Sequence, residues 1–517
     1  MVTNNGFRRW LVVLLGSLAS VTVSAQSFRV QCPTSTITHP VAANNNSEPT
    51  YTGPSYTGTS GYPAAPAKVN GAIKCQQISG GDGYATMGDG TQTYMFSFGP
   101  LSGLADLANG LPGTQFPSGF NTPYSGTPLA PGDPATTGLG TFTYNGAVGQ
   151  VPNLNNGGAI DGHVDPRSIM DIGVMNGNIP APLMAIDEDD EYFLTLSNVG
   201  MIMRPDLFEQ HTVHFHGYPN ASAFYDGVPD ASVAINIGGS FTYYYLAPDA
   251  GTYFWHCHIT PPEHLQMGMV GQLYVRPRQN RVPSSITLYA ALGQQQLDLR
   301  TACNSANDIL CSNPLPAVNT GATGGGKYAY NDGDGSTAYD VEYPLQIHGF
   351  DPNFHFVGMT FNPEGFSDMK DKYFLLNGRS YPDTVATGPL QTQSADGVNH
   401  FSQPLPSIIN IPVGKKALLR ISDLDVTEYQ TLASLGIPMN VVGLNAKLLR
   451  DQAGNNMNYN TNSVTLAGGE SVDVILDASD TTKYPSGSVF YLYTPNLDHL
   501  SNDAENFGGL MTEVHIN

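Results

Sequence analysis

His211, His214 and His216 stand together in the run HTVHFHG, and His256, Cys257, His258 and His264 in HCHITPPEH; Met269 follows His264 closely. No other part of the chain concentrates metal-binding chemistry in this way. Imidazoles, one thiolate and one thioether make up the donor set of blue-copper sites, where two His and one Cys lie in a trigonal plane with a weak axial Met. Cys257 lies between two histidines. Successive side chains in a strand point to opposite faces, so Cys257 would face one way and His256 and His258 the other. One strand could then serve two metal sites back to back.

The elements that must hold these residues are constrained by the totals. The chain has 517 residues, of which 57 are Gly and 38 Pro, with only 12% charged. That length exceeds a single core and predicts two domains with extensions. A turn-rich composition suits all-β sandwiches better than helical bundles. Lys and Arg number 21 against 43 Asp and Glu, a net charge of -22. Such a surface repels nucleic acid and anionic membranes.

Arg8 and Arg9 precede an apolar run from Trp10 to Val23, which ends in small residues at Ala25. Residues 1–25 therefore read as an export signal, with no later membrane span and a periplasmic or extracellular destination. Five cysteines are present, and in an oxidising compartment most should pair. Cys303 and Cys311 are close enough to close a small loop, and Cys32 and Cys75 could tie down the N-terminal part. Cys257 is left unpaired inside the histidine cluster.

Residues 26–90 read as a Gly/Pro/Ser-rich extension, typified by YTGPSYTGTSGYP from Tyr51 to Pro63. A second Gly/Pro-rich stretch, about 101–166, reads as a loop insertion in a first domain spanning 91–278. Within that domain 90–100, 169–177, 190–200, 240–248, 250–258 and 268–277 read as strands. Residues 276–285 read as a linker. A second domain, 279–517, repeats the pattern with predicted strands at 286–293, 373–384, 407–424, 464–478, 488–495 and 508–516. Two β-sandwiches of the same kind are the expected architecture.

The segments VHFHGYPNASAFYDGVP, GGSFTYYYLAPDAGTYFWHCHI and GMVGQLYV resemble the multicopper oxidases, and copper nitrite reductases are related to this frame. LNGRSYPDT and VGKKALLRISD look like a later cupredoxin domain of the same family. The resemblance covers roughly residues 165 to 517 and implies that the two β-sandwiches are cupredoxin-like Greek-key sandwiches. It implies that His211, Cys257 and His264 are type 1 copper ligands with Met269 axial, and Met267 as the alternative. It further implies that His214, His216, His256 and His258 are half of a type 2/type 3 copper cluster, and that Asp226 helps deliver protons there. The implied reaction takes electrons from a phenol, a metal ion or a protein donor and passes them through Cys257 to oxygen.

Two departures from the family pattern matter. The loop from Cys257 to His264 is long and carries Pro261 and Pro262, which stiffen it. The second half also reads IPMNVVGL at 437–444 and FYLYTPN at 490–496, with no His where a second pair of HxH motifs belongs. His39, His163, His348, His355, His400, His499 and His515 remain, and none forms such a pair. A homotrimer, in which one chain's second domain covers the next chain's cluster, would be one route to further ligands. Two other readings follow from these gaps: a non-catalytic copper-binding, electron-transfer or extracellular assembly protein, and a nitrite-reductase-like enzyme.

Overall fold

Aromatic and β-branched residues at alternate positions build the two sheets that carry the histidine cluster. In SFTYYYL, Tyr243 and Tyr245 are buried while Tyr244 turns outward. The computed structural model describes residues 29–51, 53, 70–123, 144–217, 222–247, 249–297, 313–358 and 365–517. The expected signal segment 1–25, most of the stretch 51–63 and the Cys303–Cys311 pair lie outside these residues.

The first sandwich uses β1 (Ile73–Thr86), β2 (Gln92–Pro100), β3 (Met184–Asp187), β4 (Glu191–Gly200), β5 (His214–Phe215), β6 (Ser240–Leu246), β7 (Gly251–His256) and β8 (Val270–Arg276). One sheet runs β2-β1-β4-β6 and the facing one β3-β8-β7-β5. Phe96, Phe98, Leu194, Tyr243, Tyr245, Trp255 and Leu273 fill the space between them. Trp255 stacks on Phe98 at a centroid separation of 5.3 Å, and a Cβ at Gly271 would lie 2.7 Å from the indole. Register in the second sheet pairs His214 with His256 and Phe215 with Trp255, so the two histidine motifs meet across adjacent strands.

The second half forms a similar pair of sheets. One sheet orders Tyr373–Leu376, Val341–Phe350, Lys416–Asp423, Ser471–Asp477 and Met439–Leu444; the other orders Ile409–Ile411, Met511–Ile516, Val489–Tyr493, Gln430–Leu435 and Ser463–Leu466. Leu345, Leu419, Ile421, Val441, Val474 and Val514 belong to its core. All-β architecture in two layered units is as expected. The halves lock together at β7 and β8. Thr252 donates to Asp473 at 2.6 Å, Ser471 donates to the Thr252 carbonyl at 2.7 Å, and Gln272 donates to the Arg420 carbonyl at 2.9 Å.

Four readings of the sequence change. Part of the expected extension 26–90 is β1, a central strand parallel to β4. Its glycines hid it, and packing demands them. A Cβ at Gly80 would lie 2.6 Å from the His211 ring, and one at Gly83 would lie 2.6 Å from the Gly177 carbonyl. Residues 169–177 are not a strand, because a helix, Pro166–Gly173, starts at the Asp165 N-cap with Pro in its first turn. Residues 286–293 likewise begin a helix, Leu288–Gln295, capped by Thr287. The expected linker 276–285 is pinned. Buried Arg278 pairs with Asp189 at 2.6 Å, and its amide donates to Glu188 at 2.7 Å. A disulfide joins Cys32 and Cys75 with Cα atoms 5.7 Å apart, tying the N-terminal segment to β1. The insertion 101–166 packs in part, since Leu101, Leu104, Phe120 and Val148 share a core with Val30 and Ile73.

Candidate metal centre

Cys257 follows directly on β7, and its sulfur faces the core side. The donor atoms of His211, Cys257 and His264 lie within 4.8 Å of one another, all three residues being buried. His264 Nδ1 is 3.3 Å from Cys257 Sγ, and the Thr212 amide donates to the same sulfur at 3.5 Å. Apart from that sulfur, the ring nitrogens of His211 meet no hydrogen-bond partner. An orphaned, fully buried imidazole beside a buried thiol is costly in a metal-free site. His2Cys is the donor set that suits copper, so the residues present fit the metal.

The long loop is not a free arc. Residues Pro261–Gln266 form a helix whose first positions are the two prolines, and it carries His264. Phe96 meets the His264 ring edge-on at 5.2 Å. The Met269 amide donates to the His264 carbonyl at 2.8 Å, and the Cys257 amide to the Met269 carbonyl at 3.1 Å. These bonds bind the three residues into one tight turn. Met269 is buried in the same core as Cys257. The Met267 sulfur, by contrast, lies 3.4 Å from where a Cβ on Gly358 would sit, turned toward the second half.

Electrostatics agree with a thiolate. Burial pushes the Cys257 thiol up, but His264 and His211 beside it outweigh burial and hold it well below the usual range. Burial lowers His264, yet Cys257 and Glu209 raise it to about 9. Burial pulls His211 down.

The second set lies on the other face. The donor atoms of His214, His216 and His256 fall within 4.8 Å of one another, and the His258 ring is 5.1 Å from that of His214. Backbone carbonyls fix two of the rings. His214 Nδ1 donates to the Asp226 carbonyl at 2.7 Å, and His256 Nδ1 to the Cys257 carbonyl at 2.6 Å. Each bond sets a tautomer with a lone pair on Nε2. His216 Nδ1 lies against Gly469 of the second half, 2.8 Å from where a Cβ there would sit. The Nε2 atoms of His216 and His256 then face each other at 2.9 Å. An N–H of one ring bridges to the lone pair of the other in the metal-free protein, and with that proton removed both nitrogens aim at one point, as ligands of a shared metal do. Burial lowers His216 to about 4 and puts His256 well below its usual range, so both rings are neutral donors at neutral pH. The Asp226 carboxylate is 3.6 Å from His214 Nδ1.

A cleft of about 400 Å³ opens beside this set. His216, Phe254, His256, Pro261 and Pro262 form one wall. Asp425, Val426, Thr427, Glu428, Tyr429 and residues 467–469, all from the second half, form the other. The chain's own second half thus covers the cluster, with carboxylates and hydroxyls where imidazoles were sought. The leftover histidines are engaged elsewhere: His39 with Glu191 at 2.8 Å, His163 with Asp161 at 2.5 Å, His348 with the Leu265 carbonyl at 3.0 Å, and His400 with Asp396 at 2.9 Å. His355 lies between the carbonyls of Tyr94 and Gln266, His515 is 2.7 Å from Glu513, and His499 is 2.7 Å from Glu428. Sequence reasoning missed Gly80, the Asp425–Tyr429 wall and the Glu428–His499 pair. No local motif marks any of them.

Residues 161–280, which carry both histidine motifs, match the multicopper oxidase family model. A 120-residue segment is 34% identical to "Multicopper oxidase MCE" of Talaromyces pinophilus, covering 23% of this chain and 18% of that protein. Over 109 residues it is 33% identical to "Laccase abr2" of Aspergillus fumigatus, covering 21% and 17%. Another 109-residue match, 34% identical, is to the copper-containing nitrite reductase of Rhizobium meliloti, covering 20% and 26%. Each match spans only about a fifth of the relative's own length. Among solved structures, the multicopper oxidase mgLAC aligns with a TM-score of 0.48 at 16% identity, over 86% of both chains. Among the described residues no helix is long and apolar enough to cross a membrane.

Proposed function

We propose that the chain is an exported copper-dependent oxidoreductase. It takes electrons from a donor at His211, Cys257, His264 and Met269 and passes them to oxygen at His214, His216, His256 and His258. One observation carries this reading. The two sets are joined through a single residue, with the Cys257 sulfur among the first set while the Cys257 carbonyl holds His256 of the second. Copper bound at the two sets would supply one-electron redox chemistry.

The chain's own residues do the rest. Thr212 ties the two sets together, since its amide donates to Cys257 Sγ and its hydroxyl accepts the His258 amide at 3.0 Å. Phe96, Phe98 and Trp255 keep water from the thiolate. The bonds to the carbonyls of Asp226 and Cys257 hold the His214 and His256 imidazoles in one tautomer. Reduction of oxygen to two waters consumes four electrons and four protons, and the Asp226 side chain beside His214 is placed to relay protons taken from solvent. The donor is a phenol, a metal ion or a protein. The Cys32–Cys75 disulfide supports an oxidising compartment.

The test is oxygen uptake by the copper-loaded protein with a phenol, ferrous iron, Cu(I) or a reduced redox protein as donor. Uptake with any of these, lost in Cys257→Ser, supports the proposal. A blue protein that consumes no oxygen with all four would be an electron carrier. Nitric oxide from nitrite would favour the nitrite-reductase-like reading.

A further inference from the structure

The cleft wall opposite His216 and His256 is backed by a second layer of polar groups. Asp425, just after the strand Lys416–Asp423, lines the cleft. Asp371, just before the strand Tyr373–Leu376, lies behind it; both side chains are buried. Their carboxylates converge on the backbone of Gly349. A Cβ there would strike Asp371 Oδ2 and lie 2.7 Å from Asp425 Oδ2. Two carboxylates brought against one glycine at this burial repel if both are ionised, and a single proton held between them would remove that cost.

Neutral donors complete the shell. Thr427 Oγ1 is 2.5 Å from Asp371 Oδ2 and 3.2 Å from Asp425 Oδ1, and its single proton serves one of them at a time. Gln266, from the helix that carries His264, donates to Asp371 at 2.9 Å, and Gln430 donates to Asp425 at 2.6 Å. Gln430 Oε1 in turn meets His499 Nδ1 at 2.9 Å, and His499 Nε2 meets the cleft-lining Glu428 at 2.7 Å. The network reaches the cleft at both Asp425 and Glu428. Other titratable groups facing the pair are His348 from Val341–Phe350 and Asp423 from its own strand, with Asp351 beyond Gln266 and Glu470 beside Asp423. Burial and then the neighbouring Asp425 hold the Asp371 carboxyl well above the ordinary range.

We propose that Asp371 and Asp425 share one proton and deliver it through Asp425 to oxygen being reduced in the His216–His256 cleft. The proposal rests on the oxidase reading above. Electrons arrive by way of Cys257. An O–H bond forms on Asp425 as the Asp371 O–H bond breaks, the Asp425 O–H bond then breaks as one forms on the acceptor, and solvent at the cleft mouth returns a proton to the pair.

Infrared spectroscopy of the metal-free protein tests the pair without reference to activity. The wild type should show a protonated carboxyl C=O stretch at neutral pH. One component of it should shift in heavy water and be lost in Asp371→Asn, which keeps a donor toward Asp425, and in Asp425→Asn, while components from other buried carboxyls such as Asp423 remain. Copper-loaded Asp371→Asn should keep the wild-type visible spectrum while oxygen turnover falls by about 100-fold with an altered solvent isotope effect. Absence of that component in the wild type, its persistence in both variants, or wild-type turnover in Asp371→Asn overturns the proposal. A wild type that shows the component yet takes up no oxygen overturns the oxidase reading instead, so the two failures are distinguishable.

Discussion

His256 and His216 present their Nε2 atoms to each other at 2.9 Å, the His256 ring held by a backbone carbonyl on its Nδ1 and the His216 ring packed against Gly469. The His256 anchor is the carbonyl of Cys257, whose sulfur lies 3.3 Å from His264. One residue thus fixes the geometry of both metal sets, and its substitution should separate them.

Cys257→Ser should abolish the intense visible band while leaving metal at the second set. Turnover should fall by more than the roughly 10–100-fold that loss of a supporting partner costs. Metal analysis and absorption spectra check this. A variant that stays blue would place the thiolate outside the chromophore.

Gly80→Ala reads the role of β1. The added Cβ would lie 2.6 Å from His211 Cδ2, so the ring must move. A loss of about 1–3 kcal/mol in urea unfolding is expected for such overpacking, with a shifted visible band. An unchanged band and midpoint would mean that β1 does not set the ring's position.

The two methionines should behave differently. Met269→Leu should change the reduction potential and colour of the first site, because the proposed function counts its thioether among the copper donors. Met267→Leu, whose sulfur faces Gly358, should change stability by less than about 1.5 kcal/mol and leave the spectrum alone. The reverse pattern would reassign the axial ligand.

Acid sensitivity follows from His216. Its folded value is about 4 against an ordinary 6.5, so the unfolded chain binds more protons between these values. Stability therefore falls as pH drops from about 6.5 to about 4. In the metal-free protein, His216→Gln lacks this loss, so its urea midpoint should gain on the wild type over that window. A constant gap between the two would contradict the buried, neutral state of the ring.

Much of the centre was legible because its chemistry is local. HTVHFHG and HCHITPPEH encode both donor sets, and strand alternation puts Cys257 and its neighbours on opposite faces. What was hidden depends on distant packing. The strand carrying Gly80 looked like part of an extension because close contact with His211, Val199 and Gly177 leaves only glycine at positions 80, 81 and 83, which breaks the strand pattern. Asp371 and Asp425 are ordinary acids in the sequence, and only the fold brings them to one glycine. The absent second pair of HxH motifs was read correctly, but not that carboxylates from the chain's own second half fill that wall.

Copper content per chain, measured with optical and spin spectra on the same loaded sample, tests the central claim most directly. The account predicts more than one copper per chain, an intense thiolate band, and a second copper population that His216→Gln removes without loss of colour. A fully loaded protein that is colourless, or that holds a single copper, would contradict it.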